Sequence, residues 1–410
     1  ALSSAASDVY KRQNLRRYAA RHGDSFFYVG WLAEDAVKAF EKHARKLRKV
    51  TYEINDTDEV GKTIPPVKLK NPRIFRPFEY LVGMFGLPSG KDIDVTAFVA
   101  ITYTVMFGIM FGDFGQGVVL GIAGFLMWKL KGMQIGKILV PCGVSACVFG
   151  LVYGECFGYE TWFDPLYHAV GLSGKPVDIM ESITGLLLVS IGIGVVLLVF
   201  TMLINIYGCL KHKKFGEALF SQSGLTGIVL YLSGVCFVYN FMTSKTIVPN
   251  AVLGVLIGIA CIILFFKEIL IGLIDHHPDW KPESITDYIL ENFFELFEYI
   301  LSFFSNTISF LRIGAFVLVH AGMMTAVFAI AGLTSSTVVN LIVVVLGNIF
   351  VMCLEALFTS IQVMRLEFYE LFSRCYAGEG RSFEPVRLHH VSAVSYTHLR
   401  AHDTLRHLVC

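Results

Sequence analysis

Eight apolar segments dominate the chain, near residues 95–112, 114–130, 137–157, 181–207, 219–240, 248–272, 287–331 and 336–373. Each is long enough to cross about 30 Å of hydrocarbon at about 1.5 Å per residue. In hydrocarbon every backbone N–H and C=O must find its partner within the protein, and an apolar run does so by becoming a helix. This constraint predicts an all-α polytopic membrane protein of about eight transmembrane helices. Composition agrees. Of 410 residues, 54% are hydrophobic and 16% charged, whereas soluble proteins carry about 25% charged residues. The net charge of +1 gives no reason to expect a nucleic-acid partner. The N-terminus does not read as a signal peptide, because no apolar run follows Ala1.

The last two segments are too long to stand upright. Thr286 to Ala331 would measure roughly 69 Å as one helix, and Ser336 to Tyr376 roughly 61 Å. They must tilt strongly, kink or run along the surface. The short link Gly332-Leu333-Thr334-Ser335 makes them an antiparallel hairpin.

Loop charges orient the spans, because cytoplasmic loops are rich in Lys and Arg. Lys129, Lys131 and Lys137 mark one loop, and Lys211, Lys213 and Lys214 another. The alternate loops are poor: 158–180 has Lys175 alone, and 241–247 has Lys245 alone. Arg374, Arg381 and Arg387 mark the C-terminal end. Both termini are therefore expected in the cytoplasm.

Outside the membrane, residues 14–74 read as the end of a truncated cytoplasmic domain and a linker, a small α/β remnant. Trp31–His43 has helical periodicity, and Lys49–Ile54 alternates like a strand. Pro65-Pro66 and Asn71-Pro72 punctuate the linker. Residues 75–388 form the membrane domain. Residues 1–13 and 389–410 read as non-native sequence that does not pack on it, including a Tyr396–Leu405 stretch. The nine cysteines are scattered, with no C-x-x-C pair, and read as small hydrophobes. His276-His277 reads as part of a solvated loop. No metal site is expected.

Polar groups inside apolar runs carry the functional signal. From Pro77 to Leu311 the chain has no arginine; the first afterwards, Arg312, lies mid-segment in SNTISFLRIGAFVLVH. An arginine at the centre of a membrane helix costs at least about 2.5–3.5 kcal/mol, and it does not escape by losing its proton. Ser302, Ser305, Ser309 and Arg312 share one helical face, with His320 at its edge. On the last segment Glu355, Gln362, Arg365 and Tyr369 form a polar stripe. Against a functional role, serines in membrane helices bond their own backbone, Arg365 is placed to snorkel, and His320 fits a packing role. Around the first two spans, Gly112-Asp113-Phe114-Gly115 is a motif of tight backbone approach around a buried aspartate, or else an ordinary interhelical turn.

Three runs together, FGIMFGDFGQG, SNTISFLRIGAFVLVHAGM and EALFTSIQVMRLEFYELFSRCYAGEGRSFEPVRL, resemble the large membrane subunit of the V-type and archaeal-type rotary ATPases (subunit a, or subunit I in prokaryotes). The resemblance spans about residues 14–388. It implies an eight-helix domain whose last two helices lie tilted beside a ring of c-type proteolipid subunits. Arg312 matches the arginine that faces the ring carboxylate, and Arg365 the second arginine. Glu355, Gln362, His320 and Glu298 match polar positions of the ion half-channels, with Ser309 among the serines lining them. Asp113, with Gly112 and Gly115, matches a structural motif. The family's E-I-D-P-T appears here as Asp92-Ile93-Asp94-Val95-Thr96, which softens a helix start.

By this resemblance the chain is a non-catalytic stator subunit in a prokaryotic cell membrane. It would couple H⁺ or Na⁺ flow to rotation, with the peripheral stalk and other subunits as partners and without a cofactor. No G-x-x-x-x-G-K-[S/T] occurs. One competitor is a secondary transporter holding an anionic substrate on Arg312, which should show internal repeats that the chain lacks. Another is a scaffold in which Arg312 is paired with a buried carboxylate of the same chain.

Overall fold

The computed structural model describes residues 19–23, 25–47, 50–55, 65–89, 93–171, 175–177, 179, 182–243, 246, 248–274, 285–333, 336–375 and 378–383. The unmatched ends, Tyr396–Leu405, His276-His277, Asp92 and Arg387 lie outside these residues.

Two compact units divide the chain at Lys68/Leu69 and at Glu379/Gly380. The smaller contains an antiparallel hairpin, β1 (Ala19–His22) with β2 (Ser25–Tyr28), and helix α1 (Glu34–Ala44). Acidic Glu34 and Asp35 open α1, and basic Lys42 and His43 close it, each complementing the helix dipole. A two-residue parallel pair joins β3 (Pro66–Val67) to β4 (Arg381–Ser382). Of the strand expected over Lys49–Ile54, the described residues 50–54 are not assigned to a strand. Alternation alone does not make a strand, because the ladder needs a neighbour to bond.

The larger unit, Leu69–Glu379, is helical. Its helices are α2 (Glu79–Phe85), α3 (Thr96–Phe111), α4 (Phe114–Lys131), α5 (Gln134–Tyr153), α6 (Asp164–Val170), α7 (Ile183–Lys211), α8 (Phe215–Phe220) and α9 (Leu225–Thr243). There follow α10 (Asn250–Phe265), α11 (Lys267–Ile274), α12 (Ile285–Ser309), α13 (Leu311–Gly332) and α14 (Thr337–Arg365). A π-helical stretch, Leu366–Phe372, continues α14. Helices occupy all eight apolar segments. Five stretches are long and apolar enough to cross a membrane: Gln134–Tyr153, Ile183–Lys211, Phe215–Thr243, Ile285–Gly332 and Thr337–Phe372. A sixth appears if α10 and α11, bent by 66° at Phe266, count as one. This is a multi-pass membrane protein.

The sixth apolar segment is broken because Lys267-Glu268 interrupts it. Lys267 turns inward to bond Glu295 and Tyr299 of α12, and the helix bends to bring it there. Helices α12 and α13 follow one another as a 48-residue rod, about 72 Å long. Only a tightened turn at Phe310 separates them, with Phe310 N–H donating to Thr307 O and Ile313 N–H to Phe310 O. The valine in place of the family's proline leaves α3 well started: Asp94 Oδ1 accepts from Thr96 N (2.9 Å) and Thr96 Oγ1 (2.6 Å), while Asn71 donates to Asp94 Oδ2.

Helices α4 and α5 lie close along glycines. A Cβ on Gly143 would sit 2.7 Å from Gly121 Cα, and one on Gly150 2.2 Å from the Phe114 amide nitrogen. Small residues let two membrane helices approach to backbone contact. The hairpin α13–α14 packs on α3 and α7, with Phe310 seated over Gly194 and Gly314 against Ser190. That seating buries Phe310, Ile313, Gly314 and Val317, and turns Arg312 to the opposite side.

Candidate functional site

Two polar clusters sit on the α13–α14 hairpin, about 12 Å apart along α13 at the helical rise. The first surrounds Arg312, whose side chain is 17% exposed. Its Nη2 donates to Ser309 Oγ at 2.9 Å, and Ser309 in turn donates to Glu370 Oε1. Arg312 Nη2 stands 4.0 Å from the same Glu370 oxygen, too far for a direct hydrogen bond. Glu370 is 5% exposed. Arg365 lies within electrostatic reach of both Arg312 and Glu370, and is exposed.

Glu370 is absent from the polar stripe read from the sequence. An α-helical register pairs Arg365 with Tyr369, but Leu366–Phe372 is π-helical. There the backbone hydrogen bonds run i→i+5 and each turn holds more residues than an α-helical one. Tyr369, 71% exposed, points outward as Arg365 does, while Glu370 turns inward to Ser309. Glu367 turns inward too, accepting from Thr102 Oγ1 of α3 at 2.5 Å. The run Glu367-Phe368-Tyr369-Glu370 places two acids three apart near a membrane-helix end, the only signal that could have drawn attention to them.

The second cluster centres on His320, 1% exposed. Its Nδ1 lies 2.6 Å from Glu355 Oε2, and its Nε2 3.3 Å from Glu155 Oε2 and 3.7 Å from Asp113 Oδ2. Asp113, Glu155 and Glu355 are each 5% exposed or less. The sequence put His320 and Glu355 on different segments; the hairpin brings them together. Glu155, a lone acid at the end of an apolar run, was not singled out.

Asp113 is held by backbone. It caps α4 through the Gln116 amide (2.8 Å) and accepts from the amides of Phe157 (3.0 Å) and Gly158 (2.8 Å). Gly112 has φ +47°, the left-handed region that ends α3, and a Cβ there would strike the Tyr153 ring at 2.6 Å. A Cβ on Gly115 would strike the Phe157 ring at 2.4 Å. The FGDFG motif is thus a bracket that fixes the turn and leaves one carboxylate beside His320. Nearby, Gln116 Nε2 donates to Asn348 Oδ1 at 3.1 Å, tying α4 to α14.

Between the two clusters the hairpin packs apolar side chains. Ile313, Val317 and Val363 are 0–2% exposed and belong to one apolar core. Gln362 is half-buried, and its Oε1 has no hydrogen-bond partner among the described residues. Glu298 is exposed on α12, in neither cluster; it is Glu295, one turn earlier, that bonds Lys267. Ser302 serves a third group: it accepts from Arg374 (2.5 Å), whose guanidinium lies over Phe303 at 4.9 Å. Arg374 is 6% exposed, so it is an interior group and not the loop charge its position implied. Among the described residues no group of His, Cys, Asp and Glu has the geometry to hold a metal ion, and seven cysteines are free thiols.

A cleft of about 570 Å³ opens beside the second cluster, lined by Glu155, Glu160, Met324, Thr325 and Phe328. Glu155 is the member of the His320 cluster that borders this cleft, while the Arg312 cluster lies on the far side of the apolar layer.

Residues 4–164 match the family described as the V-type ATPase 116 kDa subunit family. That match contains the Asp113 bracket and Glu155. The curated relatives cover more of the chain. A-type ATP synthase subunit I of Pyrococcus horikoshii is 26% identical over 396 residues, 92% of this chain and 56% of that protein. Its counterpart in Methanocaldococcus jannaschii is 27% identical over 403 residues, 89% of this chain and 55% of that protein. The one in Saccharolobus solfataricus is 27% identical, covering 84% and 59%. The family match and these relatives together support a V/A-type ATPase subunit a/I. It spans a little over half the length of these subunit I relatives. Arg312, His320, Glu355 and Glu370 lie past the family-model match, in the part of the chain that only the relatives cover.

Proposed function

We propose that this chain is the stator-side ion pathway of a V/A-type rotary ATPase. In this reading eight helices cross a prokaryotic cell membrane with both termini in the cytoplasm, and the α13–α14 hairpin lies against a ring of proteolipid subunits. The peripheral stalk and other subunits hold the chain still. The observation that carries the reading is the pair of buried polar clusters separated by the buried apolar side chains of Ile313, Val317 and Val363, with Arg312 at their edge. Two polar half-paths that do not meet fit ion flow that proceeds only when a moving carrier bridges them.

The chemistry follows from charge. A carboxylate on the ring is neutral while it faces lipid, because burial there disfavours the ionised form. Brought beside Arg312 and Arg365, it is favoured as an anion and gives up its H⁺ or Na⁺. Past the arginines it reloads from the other half-path. His320 with Asp113, Glu155 and Glu355 supplies groups able to pass a proton inward from the cleft. Arg365, exposed on an apolar face that carries Phe358 and Ile361, has reason to be there if an acidic partner docks against it.

A second reading is favoured by one observation. Glu370 is a buried carboxylate of the same chain at 4.0 Å from Arg312, as a charge-paired scaffold requires. The pair is slack, however: Arg312 Nη1 and Glu370 Oε2 are both buried without hydrogen-bond partners among the described residues. A scaffold pair should close those bonds.

Arg312→Lys and Arg312→Ala separate the readings. In the assembled complex reconstituted into vesicles, both should abolish ATP-driven ion uptake while the chain still co-purifies with the proteolipid ring. Pumping at normal rates in either variant refutes the rotary role. Loss of the folded chain in both supports the scaffold.

A further inference from the structure

Arg312 and Glu370 are held in an arrangement that neither completes. The guanidinium donates once, to Ser309 Oγ at 2.9 Å, and the one Ser309 hydroxyl hydrogen goes on to Glu370 Oε1. Ser309 is therefore an acceptor towards the arginine and a donor towards the carboxylate, the polarity of an intervening hydroxyl between two opposite charges. One nitrogen of Arg312 and one oxygen of Glu370 are buried without a hydrogen-bond partner among the described residues. A buried arginine with no countercharge would be costly, and a closed bidentate pair would be too tight to break on each passage of a mobile partner. The bridged 4.0 Å pair lies between these extremes.

We infer that Glu370, acting through Ser309, is the resident counter-ion of Arg312, and that it yields the arginine to each incoming external carboxylate and reclaims it afterwards. Glu370 is a positioning residue in this exchange; it touches neither the ion nor the external carboxylate. The inference rests on the rotary reading of Arg312. Its physical content is competition. With Glu370 present, an arriving carboxylate gains Arg312 only by displacing an existing partner, so the new pair is weaker and is released sooner. With Glu370 gone, the arriving carboxylate holds an uncompensated arginine and leaves slowly. The π-helical register is what aims Glu370 at Ser309.

The experiment uses the assembled complex in vesicles, with ATP-driven ion uptake as the readout and Glu370→Ala, Glu370→Gln and Ser309→Ala as variants. Turnover should fall roughly tenfold in Glu370→Ala and Glu370→Gln, as loss of a charge a few ångströms from another allows, with the ratio of ions moved to ATP hydrolysed unchanged. Added formate should restore most of the turnover of Glu370→Ala, by supplying a carboxylate to the vacated space. Formamide, neutral and of the same shape, should not, and formate should not help Glu370→Gln. A merely structural role for Glu370 predicts no such rescue. Normal turnover in both Glu370 variants, or a loss that formate leaves untouched, overturns the inference. If the Glu370 variants do not assemble, Ser309→Ala decides: it removes the bridge by one atom, and unchanged turnover overturns the inference. Arg312→Ala is the control that keeps the two readings apart. Pumping that survives it refutes the rotary reading itself. Pumping lost in Arg312→Ala but normal in the Glu370 variants refutes only the exchange.

Discussion

Removing the Asp113 carboxylate should weaken the fold more than any other single polar change near the site. Its side chain is 0% exposed and accepts three backbone N–H groups, from Gln116, Phe157 and Gly158. Asp113→Ala leaves those three amides without acceptors. An orphaned buried donor costs about 1–3 kcal/mol, which puts the total at roughly 3–9 kcal/mol. Asp113→Asn is milder. Its carbonyl can keep the Gln116 and Phe157 bonds, but its NH₂ then faces the Gly158 N–H, donor against donor. That single mismatch costs roughly 2–3 kcal/mol. The assay is thermal unfolding of the full chain in detergent, followed by a thiol-reactive fluorogenic maleimide. Cys142 at 0% and Cys156 at 6% exposure report opening of the α3–α5 region. At about 2–4 °C per kcal/mol, Asp113→Asn should melt about 5–10 °C lower, and Asp113→Ala lower still. An Asn variant within about 1 °C of the unsubstituted chain, or an Ala variant more stable than the Asn one, refutes the bracket argument.

Gly143→Val should separate α4 from α5, since even a Cβ there meets Gly121 backbone at 2.7 Å; overpacking costs about 1–3 kcal/mol or more, read as a lower melting temperature. Gly192→Ala, where nothing lies within 4 Å of the added Cβ, should instead raise it slightly, by up to about 1 kcal/mol. Lys267→Met should loosen the α11–α12 contact by removing the donor to Glu295 and Tyr299. If that contact is one unit, Lys267→Met with Glu295→Gln should cost less than the two single losses added together, as a double-mutant cycle on melting temperature would register.

The sequence by itself determined the class of protein, because apolar runs of membrane length have one way to satisfy their backbone. It also placed helices at all eight segments, and marked Arg312, His320, Glu355 and Asp113 as groups too polar for their surroundings. It could not say which of them meet. His320 and Glu355 touch only because two helices are packed side by side, and Glu155 joins them only because the Asp113 bracket pins the turn at Phe157–Gly158. Nor could it foresee the 66° bend at Phe266, where Lys267 reaches a partner on another helix. The sharpest difference is at the end of α14. Counting in fours from Arg365 leads to Tyr369, and both face outward, but the π-helical stretch also turns Glu370 inward to Ser309, which the count did not single out. A local register of that kind is set by what the neighbouring helix offers, here Ser309 and Arg312, and so it was the tertiary structure that decided which carboxylate faces the arginine.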